Sequence, residues 1–487
     1  MSKQKRADKK CQKALKKQER LERKQAQKQA KLDAKAQAVE KTKVWREKSE
    51  KRRQFENAML KIANEQKPTK AFLPLDNAAL IFPASENKDK SNMFRLSVLM
   101  REAVDPVALQ YAVNDVVPRF PNITGSLKKG AFWYYIEPSY KPITVSEQTD
   151  FPCRKLGTDA RSALFRVLFK NKEIAVEIFH PATDGTGALT FFNSLIRAYL
   201  LRRGVKAVGV NNAPSHLDRP RPEEMEDSYQ RLYQKDSVKQ NVDVQAYRIK
   251  GEPLMASMLL VTTGTMSGSE LNAIAKKNGM TTGQLLATTL IWAIEKDREF
   301  RMDADKRTIV VAMPVNLRKM FPSQSLRNFV GQIPLFGTGN TDFDQIAAGV
   351  KAQMDRLITK EYFTGFTTYN LKLQRNPLFK IIPRFIKTAC MKVALRIKAD
   401  NVMTMSFSNM GRIETPEEFK DHILRYDFVL GPHKKTNVSL TAVCFGDVCS
   451  INMGRSIKET NVARNFFTKL AELGANIAVE SNYEVDE

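Results

Sequence analysis

Residues 174–201 leave the chain little freedom. Ile174-Ala175-Val176-Glu177-Ile178-Phe179 is an alternating apolar run that reads as a strand. His180-Pro181-Ala182-Thr183-Asp184-Gly185 follows at once, and a helical pattern runs from about Ala188 to Leu201. Strand, short loop and helix in that order put the histidine at a strand end, where its side chain can face a cleft. The chain has four histidines, His180, His216, His422 and His433. Imidazole is the side chain best suited to accept a proton near neutral pH. The residues alone leave two readings open. His180 is a packed loop histidine with Asp184 as helix cap, or it is a base whose loop is braced by Asp184, through a hydrogen bond or an arginine. Gly185 permits backbone angles that other residues resist.

Strands and helices alternate loosely on either side of this segment, with no repeat of short period. Phe94–Met100 reads as a strand, and 105–117 as a helix with Asp105 as N-cap and Pro106 at its first position. Strands over 134–137, 164–170 and 173–179 follow, the last two joined as a hairpin by Asn171-Lys172. Residues 212–240 are polar and contain Asp218-Arg219-Pro220-Arg221-Pro222, which marks a surface linker over roughly 216–244. Beyond it, strands are expected at 259–265 and 308–313, and helices at 267–278, 282–295, 343–359 and 461–473. Residues 378–399 read as one basic amphipathic helix containing Pro383, and 438–446 with 448–453 as a hairpin around Asp447.

Several blocks, in order, resemble the coenzyme-A-dependent acyltransferase superfamily, which includes chloramphenicol acetyltransferase and peptide-synthetase condensation domains. They are Arg119-Phe120-Pro121, Gly130 to Tyr135, the His180 loop with Gly185-Thr186-Gly187-Ala188 and Phe191 to Leu195, Met313 to Arg318, Leu326 to Gly331, and Ser406-Phe407-Ser408-Asn409-Met410-Gly411. The resemblance covers roughly residues 71–487 and is closest to bacterial alcohol O-acetyltransferase-like proteins. It implies an α/β (α+β) fold of two chloramphenicol-acetyltransferase-like sandwich halves, 71–215 and 245–487, with a tunnel between them. It also implies an acyl-coenzyme A co-substrate, an alcohol-type acceptor, no bound metal or cofactor, and a monomer.

The same resemblance assigns roles. His180 is the general base for direct attack of a hydroxyl on the thioester. Asp184 is an anchor that pairs with an arginine, for which Arg95 and Arg327 are the candidates. Ser406 or Ser408 is an oxyanion donor, and Asn316 and Asn328 hold the crossover loops. Direct attack requires no protein nucleophile, and the chain has no Gly-x-Ser-x-Gly elbow. A catalytically inactive interaction protein on the same scaffold is the competing reading.

Composition adds a second theme. Half of the net charge of +26 lies in residues 1–66, where 22 Lys and Arg face nine Asp and Glu. This segment is rich in helix-forming Lys, Gln, Ala, Glu and Arg, and its apolar residues are too sparse for a strong stripe. A helical or disordered basic arm is expected, able to contact an anionic membrane or nucleic acid weakly. The five cysteines are an odd number without metal-finger spacing, so a reduced, cytoplasmic setting is expected, with peripheral membrane contact allowed. No segment is apolar enough for a transmembrane helix, and the charged N-terminus does not resemble a secretory signal.

Overall fold

The computed structural model describes residues 29, 33, 40–66, 72–87, 90–137, 139, 141–156, 163–235, 244–302, 305–397 and 401–482. The chain divides into two units, 1–61 and 62–487. Residues 40–63 are helical (α1). Most of the expected basic arm, 1–28, 30–32 and 34–39, lies outside the described residues.

The second unit begins with β1 (Leu73–Pro74), the short helix α2 (Phe82–Ser85), β2 (Met93–Met100), α3 (Pro106–Val116) and α4 (Pro121–Thr124). It continues through β3 (Ser126–Lys129), β4 (Tyr134–Glu137), β5 (Val145–Glu147), β6 (Phe165–Lys170), β7 (Glu173–Phe179) and α5 (Gly185–Arg202). Beyond the linker come β8 (Leu260–Ser267), α6 (Gly268–Lys277), α7 (Thr282–Phe300), β9 (Val310–Asn316), β10 (Val330–Phe336), α8 (Phe343–Leu357) and α9 (Lys360–Arg375). The chain ends with α10 (Pro377–Ile381), α11 (Arg384–Ile397), β11 (Met405–Arg412), α12 (Phe419–His422), β12 (Ile423–Leu430), β13 (Val438–Phe445), β14 (Val448–Arg455), α13 (Asn461–Glu472) and β15 (Ala478–Ser481).

Local chemistry sets many of these boundaries. Asp105 caps α3 by accepting from the amides of Val107 and Ala108, and Pro106 occupies the first turn. Asn171 takes a positive φ of 51° between β6 and β7, which a tight hairpin turn requires and asparagine tolerates. Thr281 and Gln284 close a capping box at the start of α7. The single helix expected over 378–399 is instead two, α10 and α11. Pro383 has no amide proton and cannot continue a helix, so the chain turns there.

Two sheets form the framework. The first has the order β12-β2-β7-β6-β5 and the second β10-β9-β11-β13-β14-β8-β15. A small sheet, β1-β4-β3, accompanies them. In the second sheet β11 runs parallel to both β9 and β13, while β13, β14 and β8 are antiparallel. The core of the first half gathers Leu96, Val98, Val176 and Ile178 with Phe191, Phe192 and Leu195 of α5. The core of the second gathers Leu286, Leu290 and Ile294 of α7 with Leu440, Ile451 and Phe466.

The edge strand of the first sheet, β12, comes from beyond β11 in sequence. It pairs with β2 from Ile423↔Met100 to Leu430↔Phe94. The linker is also engaged. Glu224 accepts both guanidinium nitrogens of Arg119 at 2.6 Å, and its carbonyl accepts from the amide of Leu326. At the β13–β14 hairpin Cys444 and Cys449 lie directly opposite and are joined as a disulfide. The reduced state expected from the cysteine pattern does not hold for this pair, because the two-residue turn at Gly446-Asp447 aligns them across the ladder.

Candidate active site

Strand parity places the key residue. Along β7, Ile174, Val176 and Ile178 enter the core, so His180 continues on the same side just beyond the strand end. Its amide donates to the carbonyl of Asn92. The ring of Phe82, from α2, stacks on the imidazole with centroids 4.2 Å apart and planes 18° from parallel. Phe94 of β2 meets it edge-on at 5.0 Å. The ring is thus enclosed by protein, yet the residue keeps some exposure to solvent. Burial lowers its pKa below the ordinary value, against the smaller upward pull of Asp184, Asn328 and Asp76.

Asn328 fixes the tautomer. Its Oδ1 lies 3.0 Å from His180 Nδ1. Its Nδ2 donates to Asp76 Oδ2 at 3.1 Å and to the His180 carbonyl at 3.3 Å. Both of those neighbours are acceptors, so the amide has one sensible orientation. Nδ1 therefore carries the proton and donates a hydrogen bond to Asn328 Oδ1, and among the described residues Nε2 has no hydrogen-bond partner. Asp76 completes the relay. It is fully buried, accepts from the amides of Ala79 and Asn328, and has Arg327 Nε 3.6 Å away. Burial raises its pKa despite these partners.

Asp184 is a structural hub. Oδ1 accepts from the amides of Thr186 and Gly187 and so caps α5. Oδ2 accepts from Arg318 Nη1 at 2.8 Å and from the amide of Phe329 at 2.8 Å. Arg318 also donates to the carbonyls of Ser325 and Arg327. One carboxylate thus ties the start of α5 to the loop before β10. Neither expected arginine is its partner. Arg95 faces Glu177 across the β2–β7 ladder, on the opposite face from His180, and pairs with Glu177 at 3.0 Å and Glu173 at 2.8 Å. The Arg327 side chain instead reaches Asp76, which Asn328 also contacts, and the carbonyls of Pro74 and Met225. Arg318 closes the Met313–Arg318 block quoted from the sequence. Asp76 and Phe82 carry no comparable sequence signal.

The glycines divide differently from expectation. Gly185 has no left-handed φ, and a Cβ there would meet only Met410 Cε, at 3.8 Å. At Gly187 a Cβ would lie 2.2 Å from the Leu326 carbonyl oxygen and from Thr183 Oγ1. Gly187 is therefore the glycine that the close approach of α5 and the crossover loop demands. Asn316 Nδ2 donates to Thr186 Oγ1 at 3.1 Å and reinforces that seam.

Ser406 and Ser408 alternate along β11 on the face away from buried Phe407, together with Met410. Met410 is the residue that reaches Gly185. Among the described residues, neither serine is hydrogen-bonded to His180 or Asp184. The structure thus brings His180, Asp184, Gly185 and Asn328 together, sets Arg327 behind them, puts Ser406 and Ser408 on a neighbouring strand, and takes Arg95 elsewhere. Among the described residues, no group of His, Cys, Asp and Glu could hold a metal ion.

Comparison with solved structures places this architecture. The chain superimposes on the first condensation domain of the calcium-dependent antibiotic synthetase with a TM-score of 0.58 at 13% identity, over 85% of this chain and all (100%) of that one. Its fold is that of the condensation domains and coenzyme-A-dependent acyltransferases. Polyketide synthase associated protein 5 from Mycobacterium tuberculosis gives 0.55 at 14% identity, over 84% of this chain and 99% of that one. TRI101 of F. sporotrichioides, crystallised with coenzyme A and T-2, gives 0.55 at 12% identity, over 84% and 100%. No protein-family model and no curated protein matches the sequence.

Proposed function

We propose that the protein is an O-acyltransferase that moves an acyl group, acetyl in the simplest case, from acyl-coenzyme A to a hydroxyl acceptor. The observation that carries this reading is the setting of His180: Asn328 Oδ1 lies 3.0 Å from Nδ1, and among the described residues Nε2 has no hydrogen-bond partner. The fold shared with TRI101, whose structure contains coenzyme A, supports the donor.

The reaction follows from those parts. The acceptor hydroxyl approaches His180 Nε2, which takes its proton as the oxygen attacks the thioester carbonyl carbon. The carbon becomes tetrahedral, and its oxyanion needs a hydrogen-bond donor. Ser408 is assigned that role, with Ser406 next on the same strand face. Collapse of the intermediate breaks the carbon–sulfur bond. The leaving coenzyme A thiolate recovers the proton from the imidazolium, and an ester and a free thiol remain. Asp184 touches neither substrate. It is a positioning residue that holds the loop through α5, Arg318 and Phe329.

The test is release of free thiol from acetyl- and longer acyl-coenzyme A by the purified chain, across a panel of alcohols and amphiphilic hydroxyl acceptors. Acceptor-dependent thiol release that disappears in His180→Ala is the expected result. No release above background with any pair would leave the inactive interaction scaffold as the better reading.

A further inference from the structure

Helix α11 is built inside out. Its outward stripe is Phe385, Ile386, Ala389, Cys390, Val393 and Ala394, all exposed. Phe385 is 67% exposed and Val393 58%. Of its charged residues Lys392 is exposed beside this stripe, while Lys387 is turned inward, 3% exposed, with its ammonium 3.5 Å from the centre of the Trp133 ring and donating to the carbonyls of Phe132 and Lys380. Arg384 pins the start of the helix, its amide donating to the Ala131 carbonyl and its Nε to the Gly130 carbonyl. The helix is thus held firmly with its apolar side facing solvent. Neighbouring α10 adds Leu378 and Ile381, 72% and 68% exposed.

Charge identifies the occupant. Residues 362–399 contain eight Lys and Arg and no Asp or Glu. A second copy of this chain would bring the same positive stretch against itself. The core of a protein interface is depleted in lysine, whereas Lys380 and Lys392 stand exposed beside this apolar stripe. Large apolar side chains set among cations, on a short helix lying along a surface, fit the headgroup region of an anionic bilayer.

We propose that the outer face of α10 and α11 docks on an anionic lipid membrane. The docking stands whether or not His180 transfers acyl groups. Its placement bears on the site all the same. α11 packs against α2, and α2 carries the Phe82 ring that stacks on His180. A bilayer on this face lies one helix away from the imidazole. If the acyl-transfer reading is right, a substrate with a hydrocarbon chain, seated in the bilayer, is the class this geometry serves.

The test uses the full chain and sedimented vesicles of equimolar phosphatidylglycerol and phosphatidylcholine, with pure phosphatidylcholine vesicles alongside. The wild-type chain should co-sediment with the anionic vesicles only. The double variant Ile381→Glu, Phe385→Glu should lose about tenfold or more of that binding, since it replaces two inserting groups by anions. Its circular dichroism and its thiol release with dissolved substrates should match wild type. Equal vesicle binding by the two proteins, or none by wild type, overturns the proposal. A second measurement guards against misfolding of the double variant. In Cys11→Ser, with Cys153 buried and Cys444 and Cys449 joined, Cys390 is the exposed thiol, and an environment-sensitive fluorophore placed on it should shift to the blue with anionic vesicles. Unchanged emission on bound vesicles also overturns it.

Discussion

At the scale of single residues, the chemistry turns on which protons sit where. His180 is desolvated, so its pKa lies below the ordinary histidine value of about 6.5. Nε2 must be unprotonated to act as base, so activity should fall with acid only below that value. A pH profile of kcat/KM whose acid limb lies at or above the ordinary value would contradict the assignment. The same shift acts on stability. The unfolded chain binds this proton first as pH falls, so the contribution of His180 is present above the unfolded pKa and is lost below it. His180→Gln should weaken the dependence of melting temperature on pH between neutrality and mild acid. His180→Ala should lower turnover by roughly two to four orders of magnitude while the chain stays folded. For Asp184 the counterpart experiment is Arg318→Ala. It leaves a carboxylate that is 1% exposed without its guanidinium, a change that costs about 3–5 kcal/mol at buried pairs. Both melting temperature and activity should drop. A variant that loses activity at an unchanged melting temperature would make Arg318 a direct participant rather than a brace.

At the scale of elements, the sequence was legible wherever one residue type has one physical use. The strand and helix around His180, the Asp105 cap, the Asn171 turn and the Thr281 capping box are local, and their periodicity or side-chain chemistry states them. The partner of Asp184 was harder, because pairing across 134 residues depends on which face each side chain takes. Part of the answer was nevertheless available. Parity along β2 and β7 puts Arg95 opposite Glu177 and away from His180, and that exclusion needs only alternation. Asp76 had no signal, since an isolated aspartate after a short apolar segment looks like any loop residue. Gly187 offers a clean test of the seam between α5 and the crossover loop. Gly187→Ala would force a methyl to within 2.2 Å of a backbone oxygen, so the loop and helix must part. A loss of about 1–3 kcal/mol in denaturant unfolding is expected, with a smaller effect from Gly185→Ala, where the space is open. Equal tolerance at the two positions would mean that the helix and loop are not held this tightly.

At the scale of the whole molecule, the two sheets are stitched by a strand that sequence order hides. β12 follows β11 of the second sheet and precedes β13 of the same sheet, yet it forms the edge of the first. Nothing in residues 423–430 distinguishes a strand that stays from one that crosses over, because both alternate in the same way. The structure shows what the crossing does. Tyr426 is buried, its hydroxyl donates to Asn193 of α5, and its ring lies against Phe192. Phe428 packs edge-on to Phe94, which in turn meets His180. Without β12, the edge of β2 would present unpaired amides and carbonyls and a row of large apolar side chains, the configuration that drives aggregation. The first half is therefore expected to be incomplete on its own. A fragment spanning residues 62–235 should lack a cooperative thermal transition and should aggregate. Co-production with residues 244–487 should restore solubility, because that piece returns β12 to its place beside β2. Calorimetry of the full chain should likewise give one transition for both sheets, with calorimetric and van't Hoff enthalpies in agreement. A soluble 62–235 fragment with its own sharp transition would mean that β12 adorns the first sheet rather than completing it, and that the two halves fold independently.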